Sequence, residues 1–206
     1  MVRLLLVRHG QTEWNVQGRT QGGGQLTPKG RRDVEALALR LQRERVAAIY
    51  ASPSARTRKT AEVLAQALNV EVNIREGLLD LDYGQWSGST FEAARESAPD
   101  LFRQWEEAPH TVRFPGGESL SDLRQRVMAV IQEVLERHPE ETVAIVTHDS
   151  PIRTVVCSVL GLDDSHHQQV ETEPGSLTVA QVGQGNQVLV ALNDGCHLEV
   201  ADASGR

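Results

Sequence analysis

Cysteine is nearly absent from this 206-residue chain: Cys157 and Cys196 stand alone, at no metal-ligand spacing. That excludes a disulfide framework or a cysteine-based zinc site and fits reduced thiols in a cytoplasmic protein. Positive charge is also short. Against 28 Asp and Glu there are 21 Lys and Arg, a net charge of −7, so the basic face that a nucleic-acid binder needs is not expected. No apolar run approaches the roughly 18 residues of a membrane span. The opening run from Val2 to Val7 is broken by Arg3 and meets Arg8-His9, and it lacks both the length and the cleavage site of a signal peptide. There is no internal repeat, low-complexity tract or long linker. Gly22-Gly23-Gly24 is not a nucleotide phosphate loop, because no Gly-Lys-Ser/Thr follows it; it reads as a mobile loop near the substrate mouth.

What remains is a soluble chain with 39% hydrophobic residues, enough to bury a core. At roughly 150 residues per domain it reads as one domain over 1–206. Of its basic residues only Lys29 and Lys59 are lysines, and arginine is the better fork for phosphate.

Short β-type runs alternate with helical periods. Val2 to Val7 reads as a strand buried on both faces. Thr27-Pro28 caps a helix with Val34, Leu37, Ala38 and Leu41 on one side. Val46 to Tyr50 is a second strand, and Ser52-Pro53 opens a helix whose stripe is Ala61, Leu64, Ala65 and Leu68. Val70, Val72 and Ile74 alternate as a third strand. Thr90 to Glu107 reads as short helices broken at Pro99, and Ser121 to Arg137 as a long one with Leu123, Val127, Val130, Ile131 and Val134 inward. Thr142 to Thr147 is a fourth strand, and Ser150-Pro151 caps the helix carrying Ile152, Val155, Val156 and Val159. Ser176 to Val182 and Gln187 to Asn193 form a hairpin, and the last few residues read as loose. The pattern predicts an α/β fold: a three-layer α/β/α sandwich around a mostly parallel sheet. A helical cap is inserted at about 83–118.

In such sheets ligands bind beyond the carboxyl ends of the strands. Arg8-His9-Gly10-Gln11-Thr12 follows the first strand, Ser52 with Arg56 and Arg58 the second, and His148-Asp149 the fourth. Two histidines and at least two arginines on one edge suit a phosphoryl group. Arginine forks neutralise its oxygens, and helix N–H groups add partial positive charge. A neutral imidazole can attack phosphorus, and a carboxylic acid must protonate the leaving oxygen.

Arg8-His9-Gly10-Gln11-Thr12 with Trp14-Asn15 resembles the signature of the histidine phosphatase (phosphoglycerate mutase-like) superfamily. Ser52 to Ala61, Gly84-Gln85-Trp86-Ser87-Gly88, Pro115-Gly116-Gly117-Glu118-Ser119 and Thr147-His148 are similar to further family segments in the same order, across about residues 2 to 160. The resemblance implies a metal-independent phosphatase, needing no cofactor, that hydrolyses a small phosphomonoester through a phosphohistidine on His9. Arg8, Arg56 and His148 complete the phosphate pocket. Asn15, Gln21 and Asp149 are substrate-binding candidates, Asn15 touching a phosphate oxygen. The family's proton donor is usually a glutamate four residues before the Gly of Gly-x-Trp-x-Gly. Here that position is Asp80, one methylene shorter, with Asp82 as the second candidate. Asp149 stands where many members have glycine, and a carboxylate there is expected to point away from the phosphate or toward the helix start.

Several residues carry plainer readings. Arg58 reads as a surface cation, His166-His167 as a solvated pair, Trp86 and Trp105 as packing, and Cys157 as buried and inert. The alternative function is a cofactor-dependent phosphoglycerate mutase, which shares the intermediate, but the substrate-enclosing insertion usual in mutases is not found between Gly88 and Glu118. A metal-dependent phosphohydrolase built on His148-Asp149, Asp80, Asp82 and His9 ranks lower, because such His-Asp sites belong to helical folds. A non-enzymatic phosphoryl-binding module ranks last, its one hint being Asp80 in place of glutamate. Expected partners are the small substrate and, through the apolar C-terminal hairpin, a second copy in a homodimer.

Overall fold

Period-two alternation builds the central layer. A computed structural model describes residues 1–21, 23–183 and 185–198. Gly22 of the glycine run and the tail read as loose lie outside the described residues. In β1 (Val2–Arg8), Leu5 and Val7 enter one buried cluster while Leu4 and Leu6 enter the other. With β2 (Val46–Ala51), β3 (Val72–Ile74), β4 (Thr142–Thr147), β5 (Leu177–Gly183) and β6 (Asn186–Asp194) it forms a sheet of order β3-β2-β4-β1-β5-β6. The first four in that order run parallel. The C-terminal hairpin adds β5 antiparallel to β1, with β6 on its outside. As the sheet edge, β6 exposes Val188, Val190 and Leu192, the strip on which the homodimer expectation rests.

A short α1 (Glu13–Val16) follows β1. α2 (Pro28–Leu41) starts at Thr27, whose hydroxyl accepts the Gly30 N–H at 2.9 Å, and buries Val34, Leu37, Ala38 and Leu41. α3 (Ala55–Leu68) shares that face through Ala61 and Leu64, with Ala65 and Leu68 half-buried. Its cap is Ser54, two residues later than the sequence suggests. Ser52 instead belongs to the strand end, its N–H bound to the Val146 carbonyl at 3.1 Å.

Between Tyr83 and Glu118 come α4 (Phe91–Ser97) and α5 (Pro99–Glu107), separated at Pro99 as expected, because proline begins a helix better than it continues one. Trp86, Phe102, Trp105 and Phe114 are buried together, with ring centroids 5.1 to 5.7 Å apart. The arginines here turn outward: Arg95 pairs with Glu106, Arg103 with Asp100, and Arg113 with Asp122.

α6 (Leu120–Arg137) and α7 (Asp149–Val159) cover the other sheet face with the apolar residues read from the sequence. The start of α7 corrects one expectation. His148, in extended backbone, is the cap residue, and Ser150 lies inside the first turn. Pro151 explains the shift, since a residue without an N–H is tolerated in a first turn that offers it no partner. The result is the expected α/β/α arrangement. No helix among the described residues is long and apolar enough to cross a membrane.

β1 and β4 are neighbours whose chains depart in opposite directions. β1 leads through α2 to β2 on one side, and β4 leads through α7 to β5 on the other. The crevice between their carboxyl ends is a topological switch point.

Candidate active site

Parallel register sets Arg8 beside Thr147, and the His9 N–H donates to the Thr147 carbonyl at 3.0 Å. His9 and His148 therefore leave adjacent strands together, with ring centroids 5.3 Å apart. Arg56, in the first turn of α3, reaches between them. Its Nε donates to His9 Nε2 at 3.0 Å and its Nη2 to His148 Nδ1 at 2.7 Å.

Partner chemistry fixes both tautomers, because a guanidinium only donates and a carbonyl only accepts. His9 Nδ1 lies 2.9 Å from the Gly10 carbonyl and carries the proton, so Nε2 holds a lone pair. His148 Nδ1 is likewise the acceptor, and its Nε2 donates to the Ser52 hydroxyl at 2.9 Å. Burial, reinforced by the charge of Arg56, holds both imidazoles well below their ordinary pKa, so both are neutral near pH 7.

Asp80 joins this cluster: its Oδ2 is 3.4 Å from Arg56 Nη2 and 3.8 Å from His148 Nδ1. Burial pushes its carboxyl upward, partly opposed by Arg56 and assisted by Asp149. Asp82 is turned elsewhere, accepting the Gly84 N–H at 2.9 Å. The Asp80 segment is gripped by Arg126 of α6, which donates to the carbonyls of Gly77 (2.9 Å), Leu79 (2.6 Å) and Asp80 (2.8 Å). The same guanidinium forms a fork with Glu118, and Glu118 in turn accepts the Asp82 N–H. This clamp holds the shorter carboxylate against Arg56. Arg126→Met is expected to lower stability by about 1–3 kcal/mol through the abandoned carbonyls and the loss of Glu118's cationic partner, read as a shift of the urea midpoint at unchanged slope. An unaltered midpoint would mean that the segment holds its shape without the clamp.

His9, Arg56 and Asp80 floor a cavity of about 360 Å³, within the range of metabolite sites. Arg8 lines it, with one Nη1 donor on the Thr172 carbonyl. Asn15 lines it too, but its Oδ1 accepts from the Thr12 N–H and hydroxyl, both at 2.9 Å, so its amide N–H groups are what it can offer. Gln21 faces the cavity while its carbonyl ties down the Tyr83 N–H (3.1 Å) and the Ser87 hydroxyl (2.6 Å). Contrary to expectation, Asp149 is not turned away. It lines the cavity, held by the Thr172 hydroxyl (2.8 Å) and Arg153 (2.8 Å), with Arg8 at 3.8 Å. The two arginines neutralise a carboxylate that would otherwise repel phosphate. Trp105 packs as expected and is also a cavity wall, with Tyr83 and Phe91.

His167 is a second correction. Beside half-exposed His166 it is only 2% exposed, and it lines the cavity. The 3₁₀ turn Asp164–Gln169 has about three residues per turn, so neighbours point some 120° apart, one outward and one inward. Arg58 is exposed and Cys157 buried, as read. Among the described residues no group of three His, Cys, Asp or Glu side chains gathers in a metal-holding arrangement.

His9, His148 and His167 share a consequence. Burial lowers each, His167 to about 4, whereas an unfolded histidine titrates near 6.5. Below that value the unfolded chain binds more protons than the fold, so each contributes stability above pH 6.5 that is lost on acidification. The slope is up to about 1.4 kcal/mol per pH unit per group. Asp80, raised by burial, has the opposite sign, in a window starting near its ordinary 3.8. The melting temperature is thus expected to fall steeply from pH 7 to 5; a flat profile would mean that the imidazoles are solvated.

The sequence profile of the histidine phosphatase superfamily (branch 1) matches residues 4–195. Phosphoserine phosphatase 1 of Hydrogenobacter thermophilus is 40% identical over 200 residues, covering 96% of this chain and 95% of that one. Among solved structures, Bacillus stearothermophilus YhfR aligns with a TM-score of 0.91 at 33% identity, over 96% of this chain and 100% of that one. A mutant phosphoserine phosphatase from Entamoeba histolytica in complex with phosphoserine aligns at 0.86 with 25% identity, over 96% and 100%.

Proposed function

Because the chain belongs to the histidine phosphatase superfamily and is a phosphomonoester hydrolase, we propose that it works through a covalent phosphohistidine on His9 without a metal ion. The observation that carries this reading is the His9 tautomer. Gly10 holds the Nδ1 proton, and the Nε2 lone pair faces the guanidinium that would bind the phosphoryl oxygens. Arg8 and Arg56 receive those oxygens, with His148 setting the Arg56 guanidinium from behind and the Asn15 amide at the rim. The start of α7, which has no side-chain cap, adds its N–H groups. Nε2 attacks phosphorus in line, the phosphorus–ester oxygen bond breaks, and Asp80 gives its proton to the departing oxygen. Water then attacks the phosphohistidine with Asp80 as base, releasing phosphate and the free imidazole.

The substrate is a small phosphomonoester. Phosphoserine is the first candidate, since two similar proteins are phosphoserine phosphatases and the cavity suits a metabolite of that size. Cys157 and Cys196, thiols rather than a disulfide, support a cytoplasmic setting. The deciding test is turnover of p-nitrophenyl phosphate in EDTA, with assay of acid-labile phosphate on quenched enzyme. Turnover with labile phosphate on His9 supports the reading. Turnover only after a divalent ion is restored overturns it, and labile phosphate that passes to a second phosphoglycerate rather than to water would indicate a mutase.

A further inference from the structure

Resting on that reading, we infer that His167 and Arg153 form a subsite for the substrate's head group, and that the group they take is a carboxylate. The catalytic cavity has two poles. The first, at Arg8, His9 and Arg56, accounts for the phosphoryl group. The second is built from Arg153, beyond the first turn of α7, and His167 of the 3₁₀ turn after that helix, and phosphoryl chemistry leaves it unused.

His167 is the clearest sign. It is buried and faces the cavity, yet neither ring nitrogen completes a hydrogen bond, although the Ser150 main chain lies near enough to favour its protonated form. Buried polar groups are normally satisfied. Packing does not explain the residue, because its ring stands 6.2 Å from that of Trp105, where a phenylalanine would fill the same space with no unmet donor. Arg153 is the second sign. Its Nη2 holds Asp149 at 2.8 Å, while its Nε is buried without a partner. A neutral imidazole N–H beside an unused guanidinium N–H makes a donor pair for a carboxylate.

Charge agrees. Asp149 stands between Arg8 and Arg153, so one carboxylate is shared by two guanidinium groups and a cationic surplus remains. Glu171 is exposed on the same rim and offers its carboxylate to an ammonium group. The wall between the poles, Tyr83, Phe91 and Trp105, is aromatic. Phosphate at one pole with carboxylate and ammonium at the other describes a phosphorylated α-amino acid.

The test compares three esters: O-phosphoserine, phosphoethanolamine (which lacks the carboxylate) and p-nitrophenyl phosphate. In His167→Phe, kcat/KM for O-phosphoserine is expected to fall about tenfold more than for the other two, with the loss in KM, since the contact is alike in ground and transition states. His167→Gln, which keeps a donor, should recover part of that selectivity. Arg153→Lys keeps a charge for Asp149 but removes the Nε–H, and should reproduce the loss if His167→Phe does not fold. Equal losses on all three esters in both variants would make these residues structural and end the subsite. Wild-type enzyme that turns over p-nitrophenyl phosphate without preferring O-phosphoserine would do the same while leaving the phosphohistidine reading intact. No labile phosphate on wild-type enzyme would remove that reading itself.

Discussion

His9→Ala is expected to lose activity on every phosphate ester, by roughly 10⁴- to 10⁶-fold, the scale seen when a covalent nucleophile is removed. The prediction follows from a shortage of substitutes. His148 is also neutral, but it is fully buried behind Arg56 and does not line the cavity as His9 does, so it cannot take over attack. Asp80 sits beside Arg56, and a carboxylate held there serves proton transfer. The variant should fold, since among the described residues His9 makes its side-chain hydrogen bonds only to Gly10 and Arg56. It should also bind phosphate, with Arg8 and Arg56 in place. Rapid-quench burst kinetics are the measurement, and a retained burst of acid-labile phosphate in His9→Ala would falsify the assignment of the nucleophile.

Asp80→Asn is expected to separate substrates by leaving group. A serine or other alkyl oxygen leaves as a poor alkoxide without a proton, so its ester should lose about 10²- to 10⁴-fold. A nitrophenolate leaves unaided, and its ester should lose far less. The sign of the pH dependence follows from burial, which pushes the Asp80 carboxyl above its ordinary range. A dianionic phosphoryl group beside it pushes the same way. Activity on alkyl esters should therefore be full while Asp80 is protonated and decline as pH rises through its pKa in the complex. In Asp80→Asn that limb should vanish. Equal losses on alkyl and aryl esters, with the limb retained, would assign the acid to another group.

The fold was legible because strand alternation and helix stripes are local, and α2, α6 and the hairpin appear almost where those patterns put them. The phosphate pole was legible because one motif, Arg8 to Asn15, is contiguous. Asp80 could be reached only by its spacing from Gly84, and what fixes its segment is Arg126, a residue at the edge of the α6 stripe that looks like any surface arginine. His167 was misread because its neighbours Asp163 to Gln169 are polar and look solvated. A 3₁₀ turn that aims one of two adjacent histidines inward leaves no trace in composition. The cap of α7 was assigned to Ser150 because serine is the usual cap residue, whereas the register of β4 had already committed His148 to that place.

The strand order also governs how the molecule is made. β1 is translated early, but its parallel neighbour β4 begins at Thr142 and its other neighbour β5 at Leu177. At about 5–20 residues per second, a ribosome needs on the order of 7–30 s to deliver the first of them. Throughout that time Leu4-Leu5-Leu6-Val7, destined for the centre of the sheet, has no edge to join, and its unmet backbone groups form a template for pairing with another chain. His9, one residue beyond β1, meets His148 only when the late strand β4 docks, so recovery of activity on refolding should trail the return of helical signal.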